Sequence, residues 1–173
     1  MFVVIEHGTR RLAHLNVTSH PSAQWTLQQL REVLGESHHK YLIHDRDAIY
    51  ARHLDSSIRA LGLEVLRSPI SSPKANAICE RLIGTIRREC LDWMIPLSEV
   101  HLRSILRTWR NHYNTGRPHS ALGPGVPGPP LHPCWIPKSA SQHRMLAGTL
   151  VRAKSVLGGL HHEYTLVPMP ASM

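Results

Sequence analysis

Tyr41-Leu42-Ile43-His44-Asp45-Arg46-Asp47-Ala48-Ile49-Tyr50 is a short apolar run that ends in acid. Residues 41–44 read as a strand, and Asp45 stands at its carboxyl end, where sheet proteins commonly place their sites. Upstream, 2–5 and 12–17 read as two more strands. Glu6-His7-Gly8-Thr9-Arg10 between them is short and holds a glycine, which predicts a hairpin. Ser22 is placed to cap a helix running to Leu34, with Trp25, Leu27, Leu30, Val33 and Leu34 as its apolar face. Downstream, 54–61 reads as a helix stopped by Gly62, and 63–66 as a strand. Ser68-Pro69 through Pro73 breaks the pattern. A long helix over about 76–93 and an amphipathic helix over 97–113 follow. Helices interleaved with strands predict an α/β domain, a mixed sheet flanked by helices.

After Tyr113 the composition changes. Residues 116–137 are dense in glycine and proline, which sustain neither a helix nor a central strand, and read as a linker. The tail recovers order: 150–157 and 160–167 flank Gly158-Gly159 and predict a hairpin. The expected organisation is a core over 1–115, a linker over 116–137 and a basic tail over 138–173 with its hairpin at 150–167.

The 173 residues carry a net charge of +8, with 20 Lys and Arg against 12 acids. No Asp or Glu stands between Glu99 and Glu163, while Arg103, Arg107, Arg110, Arg117, Lys138, Arg144, Arg152 and Lys154 do. Such a surface favours a polyanion, and nucleic acid is the usual one. No run approaches the roughly 18 apolar residues of a membrane span, and Phe2-Val3-Val4-Ile5 is too short for a secretory signal. The expected location is the cytoplasm. Cys79, Cys90 and Cys134 make no disulfide framework. His38-His39 and His161-His162 lack the spacing of a zinc finger.

Asp45 and Glu80 are 35 residues apart. Glu80 sits in Ser72-Pro73-Lys74-Ala75-Asn76-Ala77-Ile78-Cys79-Glu80-Arg81-Leu82-Ile83-Gly84-Thr85-Ile86-Arg87-Arg88, a loop leading into a helix. Two carboxylates that converge suit a hard divalent cation, because magnesium prefers oxygen ligands and keeps several waters. Gly84, Arg87 and Arg88 follow Glu80 by four, seven and eight residues, near one helix face. Lys74 precedes it in the loop. Lys74, Arg87 and Arg88 are therefore candidate DNA-backbone contacts. Spacing alone also admits a solvated Asp and a Glu that merely favours the helix dipole. Ile78, Leu82, Ile83 and Ile86 read as core.

The contexts of these acids resemble those of DDE-type insertion-sequence transposases and retroviral-like integrase catalytic cores. Asp45 after a short apolar strand, with Tyr50 beyond it, matches the family's second acid. Pro73, Asn76-Ala77 and Glu80 match its third. Tyr113-Asn114 and Arg117-Pro118-His119-Ser120 match the close of its core. The resemblance covers about residues 2–125. It implies an RNase H-like fold, Mg2+ or Mn2+ held by Asp45 and Glu80, and DNA cleavage and strand transfer. The implied partners are transposon ends, target DNA, and a second copy or an intact transposase.

The family uses three carboxylates. Residues 2–11 resemble its second strand and turn, so the expected core lacks its first strand and first Asp. Glu6 falls too late to replace that ligand, and Asp47 reads as solvated or supporting. The expectation is a core truncated at its amino end that cuts poorly. A remnant that binds DNA or intact transposase without cutting is the alternative.

Overall fold

A computed structural model of the chain describes residues 1–34, 39–44, 52–67, 73–123, 125–128 and 148–169, with 52, 53, 67 and 73–75 described by backbone only. In order these form β1 (Phe2–Ile5), β2 (Leu12–Asn16), α1 (Ala23–Leu34), β3 (Tyr41–His44), α2 (Arg52–Ala60), β4 (Glu64–Arg67), α3 (Pro73–Glu89), α4 (Glu99–Thr115), β5 (Thr149–Val156) and β6 (His161–Pro168). The α/β reading holds. Two compact units divide the chain, Met1–Leu106 and Arg107–Met173. Among the described residues, no helix is long and apolar enough to cross a membrane.

In the first unit, β1 and β2 pair antiparallel and β3 and β4 pair in parallel. The expected mixed sheet does not form as one piece. Among the described residues the strands make separate two-stranded sheets, and residues of β1 and β3 line one cavity of about 600 Å³.

Apolar spacing explains the core. Leu30 of α1, Leu54 and Ile58 of α2, and Leu63 before β4 are buried together, with Phe2, Val4, Leu42 and Val65 packed against them. Phe2 also meets Trp25 edge to face, ring centroids 5.9 Å apart. Ser22 caps α1 as expected: its Oγ accepts the Trp25 N–H at 3.1 Å. Gly62 closes α2 at φ 89°, a left-handed conformation that costs glycine nothing.

One polar pair lies inside this core. His44, the last residue of β3, bonds through Nε2 to Asp55 Oδ1 of α2 at 3.1 Å, with side chains 5% and 1% exposed. Burying such groups is tolerated because each satisfies the other. The start of α4 is tied down by Arg103, whose guanidinium donates to the Val17 carbonyl at 3.0 and 3.3 Å and pairs with Glu99. Arg103 therefore does structural work at the start of α4, with its side chain still 41% exposed.

In the second unit, β5 and β6 form the expected hairpin. Its turn is longer than Gly158-Gly159 alone, since Val156 opposes His161 and residues 157–160 make the connection. The hairpin meets the last turns of α4. His112 Nδ1 lies 3.0 Å from Glu163 Oε1, and the His112 and His161 rings stack at 4.7 Å. Gly116 leaves the room for this, because a Cβ there would stand 2.5 Å from Glu163 Oε1 and 2.6 Å from its Cγ.

Two substitutions test these contacts. Asp55→Ala removes the carboxylate bonded to His44 Nε2 in the core and lowers stability by about 1–3 kcal/mol in urea unfolding, with Asp55→Asn milder. Gly116→Ala displaces Glu163 and costs about 1–3 kcal/mol, with faster hydrogen exchange in β6 as the local readout.

Candidate metal-carboxylate and nucleic-acid site

Helix α3 carries the described part of the site. It begins at Pro73, three residues before the expected start, since proline at the first helical position gives up an N–H that has no partner there anyway. The earlier start moves Glu80 to the eighth residue of the helix. The positive end of the dipole fades within the first turn, so the dipole does not account for an acid here. Glu80 is exposed. Asp45 and Asp47 lie outside the described residues, and the convergence of Asp45 with Glu80 remains an expectation. Lys74 falls in the first turn of α3 by backbone. A cation at that end gains nothing from the helix dipole.

The inward face of α3 is set by Leu82 and Ile86, buried at 2% and 0% exposure. Ile83, expected in the core, is 43% exposed instead. It sits one residue past Leu82, and a helix turns about 100° per residue, so the two cannot share one narrow face. The helix packs against β1.

Arg87 and Arg88 are both exposed but differ in surroundings. Arg87 Nε pairs with Asp92 Oδ1 at 3.3 Å on the open surface, a contact weak enough to yield to a phosphate. The Arg88 guanidinium lies against Gly84, where a Cβ would come within 3.0 Å of Nη1. Gly84 thus lets Arg88 lie back along the helix toward its amino end, the direction of Glu80. The Trp93 indole N–H donates to the Arg88 carbonyl at 2.8 Å and fastens the end of α3. Below, Cys90 is fully buried, and burial pushes its thiol up to about 11. It is inert as a nucleophile at neutral pH.

Glu6 belongs to the turn after β1. Its carboxylate accepts from the Thr9 hydroxyl at 2.6 Å and pairs with Arg11 at 3.4 Å. These bonds shape the hairpin.

The downstream segment Tyr113-Asn114 with Arg117-Pro118-His119 finishes α4. The carbonyls at a helix end need outside donors. Gly116 and Arg117 N–H groups both reach the His112 carbonyl at 2.8 Å, Gly128 N–H reaches Asn114 at 2.7 Å, and His119 Nε2 donates to Tyr113 at 3.1 Å. The His119 ring also meets Tyr113 edge to face at 4.5 Å, and the Arg117 guanidinium stands 5.8 Å from the Tyr113 ring centre. This cluster builds a helix cap.

Glu80 offers a hard oxygen ligand of the kind Mg2+ or Mn2+ takes. Among the described residues, no three His, Cys, Asp or Glu side chains gather to hold a metal. The sequence reading missed the His44–Asp55 and His112–Glu163 pairs, whose partners lie 11 and 51 residues apart. No local pattern signals them.

Residues 61–127 match the integrase core domain family, a span that holds β4, α3 with Glu80, Arg87 and Arg88, α4 and the His119 cap. The chain is 38% identical over 74 residues to an uncharacterized 31.7 kDa protein of insertion element IS407 from Burkholderia multivorans, covering 42% of this chain and 26% of that protein. It is 38% identical over 64 residues to an uncharacterized 39.2 kDa protein of insertion element IS476 from Xanthomonas euvesicatoria, covering 36% and 18%. It is 37% identical over 65 residues to the transposase InsD of insertion element IS2 from Escherichia coli, covering 38% and 22%. The matches thus span about a quarter or less of these relatives. Residues 61–127 are thus similar to the integrase core domain family, and the chain is similar over part of its length to insertion-element proteins that include a transposase.

Proposed function

We propose that this chain is the DNA-handling part of an RNase H-like integrase core, acting in DNA cleavage and strand transfer during transposition. Asp45 and Glu80 are the carboxylates that hold Mg2+ or Mn2+. The observation that carries the reading is α3 itself. Within the matched segment it presents an exposed acid at Glu80, where no dipole argument explains it, followed by two exposed arginines. A divalent cation held by such carboxylates stabilises charge on a phosphodiester and activates the attacking oxygen. Lys74, Arg87 and Arg88 then hold the phosphate backbone beside it. Arg88 is favoured over Arg87, because Gly84 directs it along the helix and Arg87 is shared with Asp92. Transposon ends and target DNA are the substrates, and a second copy or an intact transposase is the partner.

Two experiments test this. The chain should bind duplex DNA with affinity that falls steeply with salt, and each lost phosphate contact should flatten the log–log slope by about 0.9. Arg88→Glu should weaken binding across sequences more than Arg87→Glu does; salt-independent binding, or equal affinity of both variants with the parent, sinks the assignment. In a strand-cleavage assay on transposon-end duplex with magnesium or manganese, the 173-residue chain should cut poorly, because two carboxylates leave the ions loosely placed for in-line attack. Adding an upstream strand that bears an Asp should restore cutting, and Glu80→Gln or Asp45→Asn should abolish it. Robust cutting by the chain alone, lost on Asp45→Asn, means that another residue completes the site. Binding without cutting in every form supports the binding-only alternative.

A further inference from the structure

We propose that the β5–β6 hairpin is a second nucleic-acid site, which takes a single strand by stacking its unpaired bases on Tyr164 and His162. Cross-strand register sorts the hairpin into two faces, because paired residues share a face and successive residues alternate. One face carries His161 and Glu163, which meet His112 of α4. The other carries Val151, Ala153 and Ser155 opposite Leu166, Tyr164 and His162, and all six are exposed. Tyr164 is 68% exposed. Its cross-strand neighbour is Ala153, too small to cover a ring. The His162 ring lies 6.4 Å from the Tyr164 ring and within 30° of parallel, with Ser155 Oγ 3.3 Å from His162 Nε2. The two rings make an uncovered platform on the open face.

Charge identifies the occupant. Arg152 and Lys154 alternate with these residues along β5 and are exposed as well, the Lys154 side chain at 73%. Glu163 is the only acid after Glu99 in the sequence. Its carboxylate is engaged within the same unit, 3.0 Å from His112 Nδ1 and 3.8 Å from Lys154 Nζ. The long contact to Lys154 at the surface is weak enough to yield to a phosphate. Two copies laid face to face here would add positive charge to positive charge, with no further carboxylate to answer it. A polyanion is favoured instead, and the rings decide which one. Single strands are held by cations that meet the phosphates and by aromatic faces on which the bases stack. A duplex keeps its bases stacked inside and leaves the rings unanswered.

This site goes beyond the one on α3, where arginines hold a phosphate backbone beside a metal, since it reads bases and needs no metal. The full chain is titrated without metal against fluorescein-labelled oligothymidylate of about 15 nucleotides, the span that one single-strand-binding fold covers. An abasic strand of equal length carries the same phosphates without bases. Oligothymidylate should bind about 10-fold tighter than the abasic strand; Tyr164→Ala should remove that advantage and Tyr164→Phe should keep it. Arg152→Gln should flatten the salt slope of single-strand binding by about 0.7. Oligouridylate of the same length distinguishes RNA from DNA, and tighter binding of either names the strand. A duplex should bind the parent and Tyr164→Ala alike. Failure here is thereby told apart from failure of the α3 reading, which Arg88→Glu tests on duplex. Equal affinity for the abasic strand, or an unchanged affinity of Tyr164→Ala for oligothymidylate, overturns the proposal. So does duplex binding that depends on Tyr164, or a dimer in light scattering that Tyr164→Ala dissolves.

Discussion

The buried bond between His44 and Asp55 is the constraint on which the first unit depends. It lies at the end of β3, one residue before Asp45, and joins that strand end to α2 among the packed side chains of Leu54 and Ile58. Two polar side chains enclosed this fully are tolerated while they are hydrogen-bonded. The bond therefore fixes His44, the last described residue of β3, against α2. A shift of one residue along the strand would turn His44 to the opposite face and bring Ile43 to the core side, because side chains alternate. The register of β3 against β4, with His44 opposite Arg67, is the arrangement in which Leu42 and His44 both face the helix.

Helix α3 shows a division of labour along one element. Leu82 and Ile86 anchor it while Glu80, Arg87 and Arg88 stay in solvent. The glycine at position 84 has an identifiable task, since a larger residue would push the Arg88 guanidinium off the helix surface. Polar residues that look alike in sequence separate by context. Arg103 is committed to the Val17 carbonyl and Glu99, Arg117 stands over Tyr113, and Arg88 stays at the surface. Net charge alone would have counted all three as polyanion contacts.

The second unit is held by contacts between distant parts of the chain. The His112–Glu163 pair, the stacked His161 ring and the space left by Gly116 bring the hairpin to the last turns of α4. An isolated hairpin is marginal in water, so these contacts explain how β5 and β6 persist. The glycine- and proline-rich stretch is partly drawn into the same assembly. Residues 119 and 125 form a bridge, and Gly128 bonds to Asn114. The return of the chain adds the Gly128 N–H as a donor to the Asn114 carbonyl, while the adjacent Gly116 and Arg117 N–H groups meet the His112 carbonyl.

Element types were legible in the sequence, since they depend on local spacing. The apolar period of α1, the cap at Ser22, the stop at Gly62 and the alternation around Gly158-Gly159 each act within a few residues. The likeness around Glu80 was legible too, because residue types at fixed short spacings carry it. Only the tertiary structure decided which polar residues are engaged in packing, that β1 and β3 pair with different partners and line one cavity, and that the Tyr113–His119 segment is a helix cap. The physical reason is range. Propensity and periodicity operate over one or two turns, whereas a buried pair such as His112–Glu163 or a cavity lined by separate strands exists only after segments far apart in sequence have met.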